Sequence, residues 1–281
     1  MKNVVRTLIF NEQVSLTLAD TTEIVNEGIR LHKLNTNLSM LFGKALSAMT
    51  FMSACLKNEK GEISLSLKSE DGGKEIGVSG NQALRLRGYI TVEAGLENSG
   101  LGTIGSLTVI RDDGYSRPFV GSCALTESGN IDEAFEEYYR ISEQLPTRLA
   151  TVVEVDKTGE CTFAGVAVLQ PLPFADVKTL EAVGELNLNK ILQEIKEKGV
   201  VDAAKCNFQT DESVWELKSA IYKCNCSKEY LKGVLVSLGE RQMRQIIQED
   251  GAVRVHCHYC NTDYEFTDED ADSMFNEKEN G

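Results

Sequence analysis

The segment LSMLFGKALSAMTFMSACL, residues 38–56, decides the fold because it is apolar on nearly every side. A helix with this character is buried either in a protein core or in a membrane. Its length is borderline for a membrane span, and Lys44 lies in its first half. The segment therefore predicts a helix enclosed in the core of a soluble protein.

The residues that follow have the pattern of β-strands. Ile63, Leu65 and Leu67 alternate with polar residues, which is the period of a half-buried strand. Residues 151–155 and 161–168 are expected to pair as a hairpin around the turn at 156–159. Strands of this kind, together with the apolar helix, indicate an α+β fold for the N-terminal domain, residues 1–174.

Composition divides the rest of the chain into two parts. Residues 175–221 are rich in Glu and Lys and show modest helical spacing, so they are predicted to form a partly helical, metastable linker. Residues 222–281 form the third predicted domain, in which Ser227 begins a helix that ends at Gly239. Its acidic tail, from Asp268 onward, is expected to fray.

Four of the eight cysteines fall in two close pairs that are separated by thirty residues. Such clusters can form a tetrahedral zinc site, here from Cys224, Cys226, Cys257 and Cys260. A Cys-x-Cys pair is unusual in a purely structural site. Its Cα atoms lie about 7 Å apart in an extended chain, at the limit for a disulfide. A strained disulfide is easily reduced, so the four cysteines could alternate between a metal site and short disulfides.

The remaining candidate ligands have weaker patterns. His256 and His258 are able to bind a metal, but they are predicted to be neighbours of the site. The solitary cysteines are Cys55, Cys123, Cys161 and Cys206, and the first three lie in apolar or strand-like runs typical of buried thiols. Eight cysteines without an export signal indicate the reducing cytosol.

The net charge of -14 limits the classes of partner that the protein can bind. Nucleic acids and anionic membranes are polyanions, so the charge argues against both. The acidity extends into residues 222–281, which hold seven Lys and Arg against twelve Asp and Glu. The cysteine domain is therefore not expected to bind phosphates.

The cysteine pattern, KCNCSKEYL at 223–231 and HCHYCNTDYEF at 256–266, resembles the zinc-binding redox switch of the heat shock protein 33 family. The resemblance also covers N-terminal signatures. They are ADTT at 19–22, LRGY at 86–89, GSLTVIRD at 105–112, PFVG at 118–121 and YRISEQLP at 139–146. It extends over residues 1–174 and 222–267, whereas 176–221 match by position alone.

The resemblance implies a redox-regulated holdase chaperone of the cytoplasm that responds to oxidative stress and is not an enzyme. The expected fold is an N-terminal mixed β-sheet domain that encloses the apolar helix, a helical linker and a small C-terminal Cys₄ zinc domain. One zinc ion per reduced chain would be bound by the four clustered cysteines. Oxidation would form Cys224–Cys226 and Cys257–Cys260, release the zinc and allow unfolding client proteins to bind, with a homodimer as a possible oxidised assembly.

Two other classes of function remain open from the sequence. A thiol–disulfide oxidoreductase would use Cys257 and Cys260, although the strand–CxxC–helix context of such enzymes is missing. A zinc-ribbon adaptor would bind a protein or nucleic acid in the reduced state, and the acidity argues against nucleic acid. Turnover of a dithiol substrate would favour the first class, and salt-dependent DNA binding would favour the second.

Overall fold

The computed structural model describes residues 2–99, 102–124, 130–208 and 212–276. The chain forms two compact units, Met1–Lys223 and Cys224–Gly281. Each unit has an apolar core of its own. The predicted segment 175–221 lies within the first unit, and the division of the chain into three domains stays a prediction.

The first unit contains strands and helices in a mixed order along the chain. The strands that it contains among the described residues are β1 (Val4–Ile9), β2 (Val14–Asp20), β3 (Glu62–Ser69), β4 (Lys74–Asn81), β5 (Arg85–Val92), β6 (Ile104–Asp112), β7 (Phe119–Ala124), β8 (Arg148–Val155), β9 (Cys161–Pro171), β10 (Glu216–Lys218) and β11 (Ile221–Tyr222). The helices are α1 (Thr22–His32), α2 (Thr36–Ala54), α3 (Ile131–Tyr138), α4 (Val177–Glu185), α5 (Leu188–Lys198) and α6 (Val200–Asn207).

The strands of the first unit form two sheets. The first sheet is antiparallel, in the order β10-β1-β2-β9-β8. The second has the order β11-β5-β4-β3-β6-β7, and β11 pairs with β5 in parallel. The predicted hairpin is confirmed as β8 and β9, which turn at 156–160. The predicted α+β class with a mixed sheet is likewise confirmed.

Helix α2 is the apolar segment from which the fold was predicted, and it lies between the two sheets. It contacts β2, β8 and β9 of the first sheet and β3, β4 and β5 of the second. Asn35 begins the helix, because its side chain accepts a hydrogen bond from the Leu38 N–H at 3.0 Å. Lys44 remains half-buried and reaches Asp132 of α3 at 3.6 Å. The predicted enclosed helix is therefore confirmed.

Close packing around α2 depends on glycine at one crossing point. A Cβ at Gly43 would lie 2.9 Å from Val25 of α1 and 3.0 Å from Val153 of β8. Such contacts are too short for carbon atoms, so the helix lies against α1 and β8 only because residue 43 has no side chain.

Helices α4, α5 and α6 cover the other face of the first sheet. Leu188, Ile191 and Ile195 recur at helical spacing in α5 and are buried against apolar side chains of β1, β2 and β9. Strand β9 is consequently buried on both faces. The helical character predicted for 175–221 is confirmed, and its metastability stays a prediction.

The second unit is small. It comprises α7 (Lys228–Leu238), α8 (Glu240–Asp250), the hairpin β12 (Val253–Cys257) and β13 (Thr262–Phe266), and α9 (Asp268–Asn276). Ser227 caps α7 as predicted, because its hydroxyl accepts a hydrogen bond from the Tyr230 N–H at 3.0 Å. Among its described residues, 224–276, seven buried side chains form the core: Leu235, Met243, Ile247, Val253, Phe266, Ala271 and Met274.

The prediction that the chain frays from Asp268 is wrong for residues 268–276, which form α9, and the rest of the predicted tail, residues 277–281, lies outside the described residues. Ala271 and Met274 lie one turn apart and are buried in the core. Asp270 accepts a hydrogen bond from Lys228 at 2.8 Å, and carboxylates in a first turn interact favourably with the helix dipole. The many acidic residues conceal this short apolar spacing in the sequence.

No helix in the described parts of the chain is both long enough and apolar enough to cross a membrane.

We predict that Met49→Ala lowers the free energy of unfolding of the first unit by about 2–5 kcal/mol, because truncation of a buried side chain leaves a cavity. Met49 is fully buried in α2, whereas Met40 of the same helix is 40% exposed. The matched variant Met40→Ala should change it by less than about 1 kcal/mol. Urea denaturation followed by circular dichroism measures both. Equal losses would contradict the enclosure of α2 between the sheets.

Candidate metal centre

Four cysteines converge in the second unit from two chain segments. Cys224 and Cys226 lie in the extended segment before α7, and Cys257 ends β12. Cys260 lies in the tight turn to β13, which is closed by a 2.8 Å hydrogen bond from the Asn261 N–H to the Cys257 carbonyl. Asn261 has a positive φ of 53°, a conformation that asparagine tolerates. The turn thus places both sulfurs of the second pair on one side.

The sulfur positions fit one metal ion. Cys224 Sγ lies 3.2 Å from Cys226 Sγ and 3.7 Å from Cys257 Sγ, and Cys226 Sγ lies 3.0 Å from Cys260 Sγ. All four sulfurs lie within 4.8 Å of one another. Tetrahedral zinc with Zn–S bonds of about 2.3 Å requires sulfurs about 3.8 Å apart. The cluster could therefore hold a metal ion of this kind with small shifts of the side chains.

The surroundings disfavour thiolates that lack a cation. Burial raises the pKa of Cys224, and the neighbouring Cys257 sulfur raises it further. Burial also raises the pKa of Cys226, although a hydrogen bond from Tyr264 acts in the opposite direction. A bound divalent cation reverses this balance because it attracts thiolates and removes their mutual repulsion. The donor set thus suits Zn²⁺, for which thiolate is a preferred ligand.

Tyr264 is a functional candidate that the sequence analysis treated only as a strand residue. Its hydroxyl lies 3.2 Å from Cys226 Sγ, and this hydrogen bond raises the pKa of Tyr264. Tyr264 pairs with Val255 across the hairpin, so its side chain is on the same face as Cys257. Strand alternation could have revealed this position from the sequence.

The two histidines beside the second pair lie outside the sulfur cluster. His256 is on the other face of β12, where its Nδ1 lies 2.7 Å from Asp263 Oδ1. The rings of His256 and His258 meet edge to face, with centroids 5.1 Å apart. These contacts place both imidazoles at the edge of the site.

The solitary cysteines lie in the first unit. Burial raises the pKa of Cys161 to about 12 and also raises the pKa of Cys123 and Cys55. Those three thiols are therefore poor nucleophiles. Cys206 is exposed on α6, with its sulfur 3.8 Å from Lys198 Nζ.

Tyr222 fixes the chain in the first unit two residues before Cys224. Its hydroxyl donates to the Gly88 carbonyl at 2.9 Å and accepts from the Gly88 N–H at 3.2 Å. His32 Nε2 lies 3.3 Å from the same oxygen. These partners are distant in sequence, so no local pattern predicts this contact.

The sequence matches the profile of the Hsp33 protein family over residues 2–267. It is 31% identical to the 33 kDa chaperonin of Clostridium perfringens (strain SM101) over an alignment of 295 positions, which covers 98% of this chain and 92% of that protein. The 33 kDa chaperonin of Bacillus cytotoxicus is 32% identical over 283 residues, with coverages of 95% and 96%. The crystal structure of the 33 kDa chaperonin of Thermotoga maritima aligns with a TM-score of 0.78 at 25% identity, and covers 100% of this chain and 99% of that chain.

These similarities span nearly the whole chain, and they define its class as a molecular chaperone. The chain belongs to the Hsp33 family. The resemblance expected from the cysteine pattern is confirmed, and the sulfur cluster is compatible with zinc binding and redox regulation.

We predict that Tyr264→Phe weakens Zn²⁺ binding about tenfold to hundredfold, the usual effect of losing a group that orients a metal ligand. The substitution removes the hydrogen bond to Cys226 and keeps the ring. Tyr230→Phe is the matched control, because Tyr230 is 62% exposed on α7. Competition with a chromophoric chelator measures both affinities. Equal affinities would show that the Tyr264 hydroxyl does not support the site.

Proposed function

We propose that this protein is a redox-regulated holdase chaperone of the cytoplasm, zinc-bound and inactive when reduced. On oxidation it forms the disulfides Cys224–Cys226 and Cys257–Cys260, releases zinc and binds unfolding proteins. It makes and breaks no bond in these clients, so it is not an enzyme. The observation that carries the proposal is the convergence of four sulfurs within 4.8 Å in a Hsp33-family chain.

The proposed zinc ligands are Cys224, Cys226, Cys257 and Cys260. Bound Zn²⁺ would neutralise the four thiolates and supply binding energy of roughly 10–16 kcal/mol, as in other small zinc domains. The second unit needs such a contribution, because a core of seven side chains is too small to stabilise a domain of this size by itself. The cysteines thus connect the start of α7 with the hairpin turn.

Oxidation removes the ligands in pairs. Each disulfide forms as two thiolates lose two electrons, and one hydrogen peroxide accepts these electrons together with two protons from the solvent and becomes two waters. The oxidised sulfurs no longer act as thiolates, so the site loses its affinity for metal. Cys226 Sγ is 3.2 Å from Cys224 Sγ and 3.0 Å from Cys260 Sγ, so the proposed pairing rests on the family resemblance.

The first unit contains the apolar surface that a holdase requires. Helices α4 to α6 cover Leu16 and Leu18 of β2 and Leu169 of β9, all fully buried. If residues 175–221 unfold when the zinc site is lost, this sheet face becomes accessible to unfolding proteins. Helix α4 is the weakest part of the cover, since Val177 is 70% exposed and only Thr179 and Val183 are buried.

The alternative of a thiol–disulfide oxidoreductase receives no support from the site. Cys257 and Cys260 lie at a β-hairpin turn and not at the N-terminus of a helix, which is the position of the reactive cysteine in such enzymes. For a zinc-ribbon adaptor, the excess of acidic residues in 222–281 opposes nucleic acid binding. Unfolding proteins are therefore the proposed partners, with a homodimer as a possible oxidised assembly.

We predict that the reduced protein contains one zinc ion per chain and does not suppress the aggregation of a denatured test protein. After peroxide treatment it should lose the zinc and suppress aggregation, and peptide mapping should give Cys224–Cys226 and Cys257–Cys260. Light scattering and metal analysis of the same samples measure both. Zinc that is fully retained after oxidation, or equal activity in both forms, would overturn the redox control.

We predict that Cys257→Ser partly activates the protein without oxidant, because a serine hydroxyl stays protonated where cysteine binds as a thiolate. The variant should bind zinc weakly, suppress aggregation in part and be cleaved by protease from about residue 176 onward. Cys206→Ser is the matched control and should behave as wild type, since Cys206 lies outside the sulfur cluster. A compact and inactive Cys257→Ser variant would disprove the coupling between the zinc site and residues 175–221.

A further inference from the structure

A groove runs along the free edge of strand β8 in the first unit. It consists of two adjoining cavities of about 660 and 470 Å³ that share Glu133, Glu136 and Arg148 in their walls. Helix α3 forms one wall, and α4 with the start of α5 forms the other. We call it the β8 groove. It is separate from the cysteine cluster, and the proposed function does not use it.

In this groove, carboxylates of α3 accept the hydrogen bonds that a neighbouring strand would otherwise accept from β8. The Leu149 N–H donates to Glu136 Oε1 at 2.7 Å, and the Thr151 N–H donates to Asp132 Oδ2 at 3.1 Å. Since β8 is the last strand of the first sheet, these N–H groups would otherwise remain unpaired. Asp132 and Glu136, which lie one turn apart on α3, therefore accept hydrogen bonds from the N–H groups of the strand edge. The same two carboxylates make the groove acidic.

The charge of the lining is unbalanced. The carboxylates are those of Asp132, Glu133, Glu136, Glu137 and Glu185, and the arginines are Arg140 and Arg148. Arg140 already binds Glu137 through two hydrogen bonds of 2.6 and 2.7 Å. Arg148 donates to the Val183 and Gly184 carbonyls at the end of α4. Lys44 also lies 3.6 Å from Asp132, so three cations face five carboxylates and the net charge is -2. The lining thus still attracts a positively charged group.

Apolar side chains line the other part of the groove. Leu180 of α4 is 44% exposed, and Ala134, Pro146 and Pro171 lie around the same cavity. Along β8 the groove extends from Pro146 to Ala150, roughly 14 Å at a rise of about 3.4 Å per residue. These dimensions suit about four residues of an extended chain, with an apolar side chain against Leu180 and a cation among the carboxylates.

Other occupants fit less well. A nucleic acid or a phosphate would be repelled by the five carboxylates. Among the described residues these carboxylates do not converge closely enough to hold a metal ion, in contrast to the cysteine cluster. Burial raises the pKa of Glu136, although the hydrogen bond from the Leu149 N–H and the charge of Arg148 lower it, and a bound cation would favour the charged carboxylate.

We propose that the β8 groove binds an extended polypeptide segment that carries lysine or arginine next to apolar residues, while α4 is packed against the first sheet. An occupant of this groove contacts both α3 and α4. It therefore stabilises the packed form of α4 by a factor of about 1 + [L]/Kd in the equilibrium constant. On the proposed function, such a segment opposes the release of residues 175–221 and raises the oxidant concentration needed for activation.

The test uses the full, reduced, zinc-loaded chain and a fluorescein-labelled heptapeptide of alternating leucine and lysine. Fluorescence anisotropy should show saturable binding of one peptide per chain. The matched peptide of alternating leucine and glutamate should not bind. Equal binding of both peptides, or no binding of the lysine peptide, would overturn the proposal.

Matched variants distinguish the groove from the general acidity of the chain. Glu133→Gln with Glu185→Gln should weaken binding at least about tenfold, whereas the control Glu59→Gln with Glu93→Gln removes the same charge from exposed sites elsewhere. Leu180→Ser should also weaken binding, and Val120→Ser, at a side chain 59% exposed on β7, should not. If groove and control variants lose affinity equally, the peptide binds the acidic surface as a whole and the proposal is wrong.

The coupling to α4 has a separate readout. At a peptide concentration about ten times Kd, protease cleavage within 175–221 after peroxide treatment should slow about tenfold. Unchanged cleavage with the peptide bound would overturn the coupling. If the reduced protein binds the peptide but does not suppress aggregation after oxidation, the proposed function is wrong. The proposal that the β8 groove binds a peptide would then still hold.

Discussion

Residues 45–54 of helix α2 are buried on every side, and this constraint organises the first unit. One sheet cannot cover a helix on all sides. Two sheets therefore pack against it, and α1 crosses it at Gly43, where the absence of a side chain permits close approach. Helix α2 packs against only one face of the first sheet. The apolar side chains of the other face are buried by α4 to α6.

In this arrangement, residues 175–223 contribute to the structure in three ways. Their helices cover the first sheet, β10 and β11 extend an edge of each sheet, and the segment ends beside the first cysteine pair. A change at the cysteines is thus connected through the chain to the cover of an apolar sheet face. On the function proposed above, physical continuity of this kind would let the small cysteine cluster control a large surface, provided that the cover is only marginally stable.

Local sequence patterns predict the parts of this structure that are determined locally. The apolar run at 38–56, the β8–β9 hairpin and the Ser227 cap follow from periodicity and turn residues, and the spacing of the cysteines indicates their convergence. Contacts between distant segments have no such signal. The Tyr222 hydrogen bonds to Gly88 and the pairing of β10 with β1 depend on the completed fold. Helix α9 was missed because its acidic residues hide two buried apolar positions.

The contact between the two ends of the first unit also determines when its sheet can be completed during synthesis. Asn3 accepts a hydrogen bond from the Ala220 N–H at 2.8 Å and donates to the Ala220 carbonyl at 3.2 Å, so residues 217 positions apart in the chain complete one edge of the sheet. Contacts of such high sequence separation form slowly and late. The edge of β1 therefore stays unpaired on the ribosome until residue 220 has emerged. Until then a nascent chain of this protein presents an unpaired strand edge, the kind of surface at which chains aggregate.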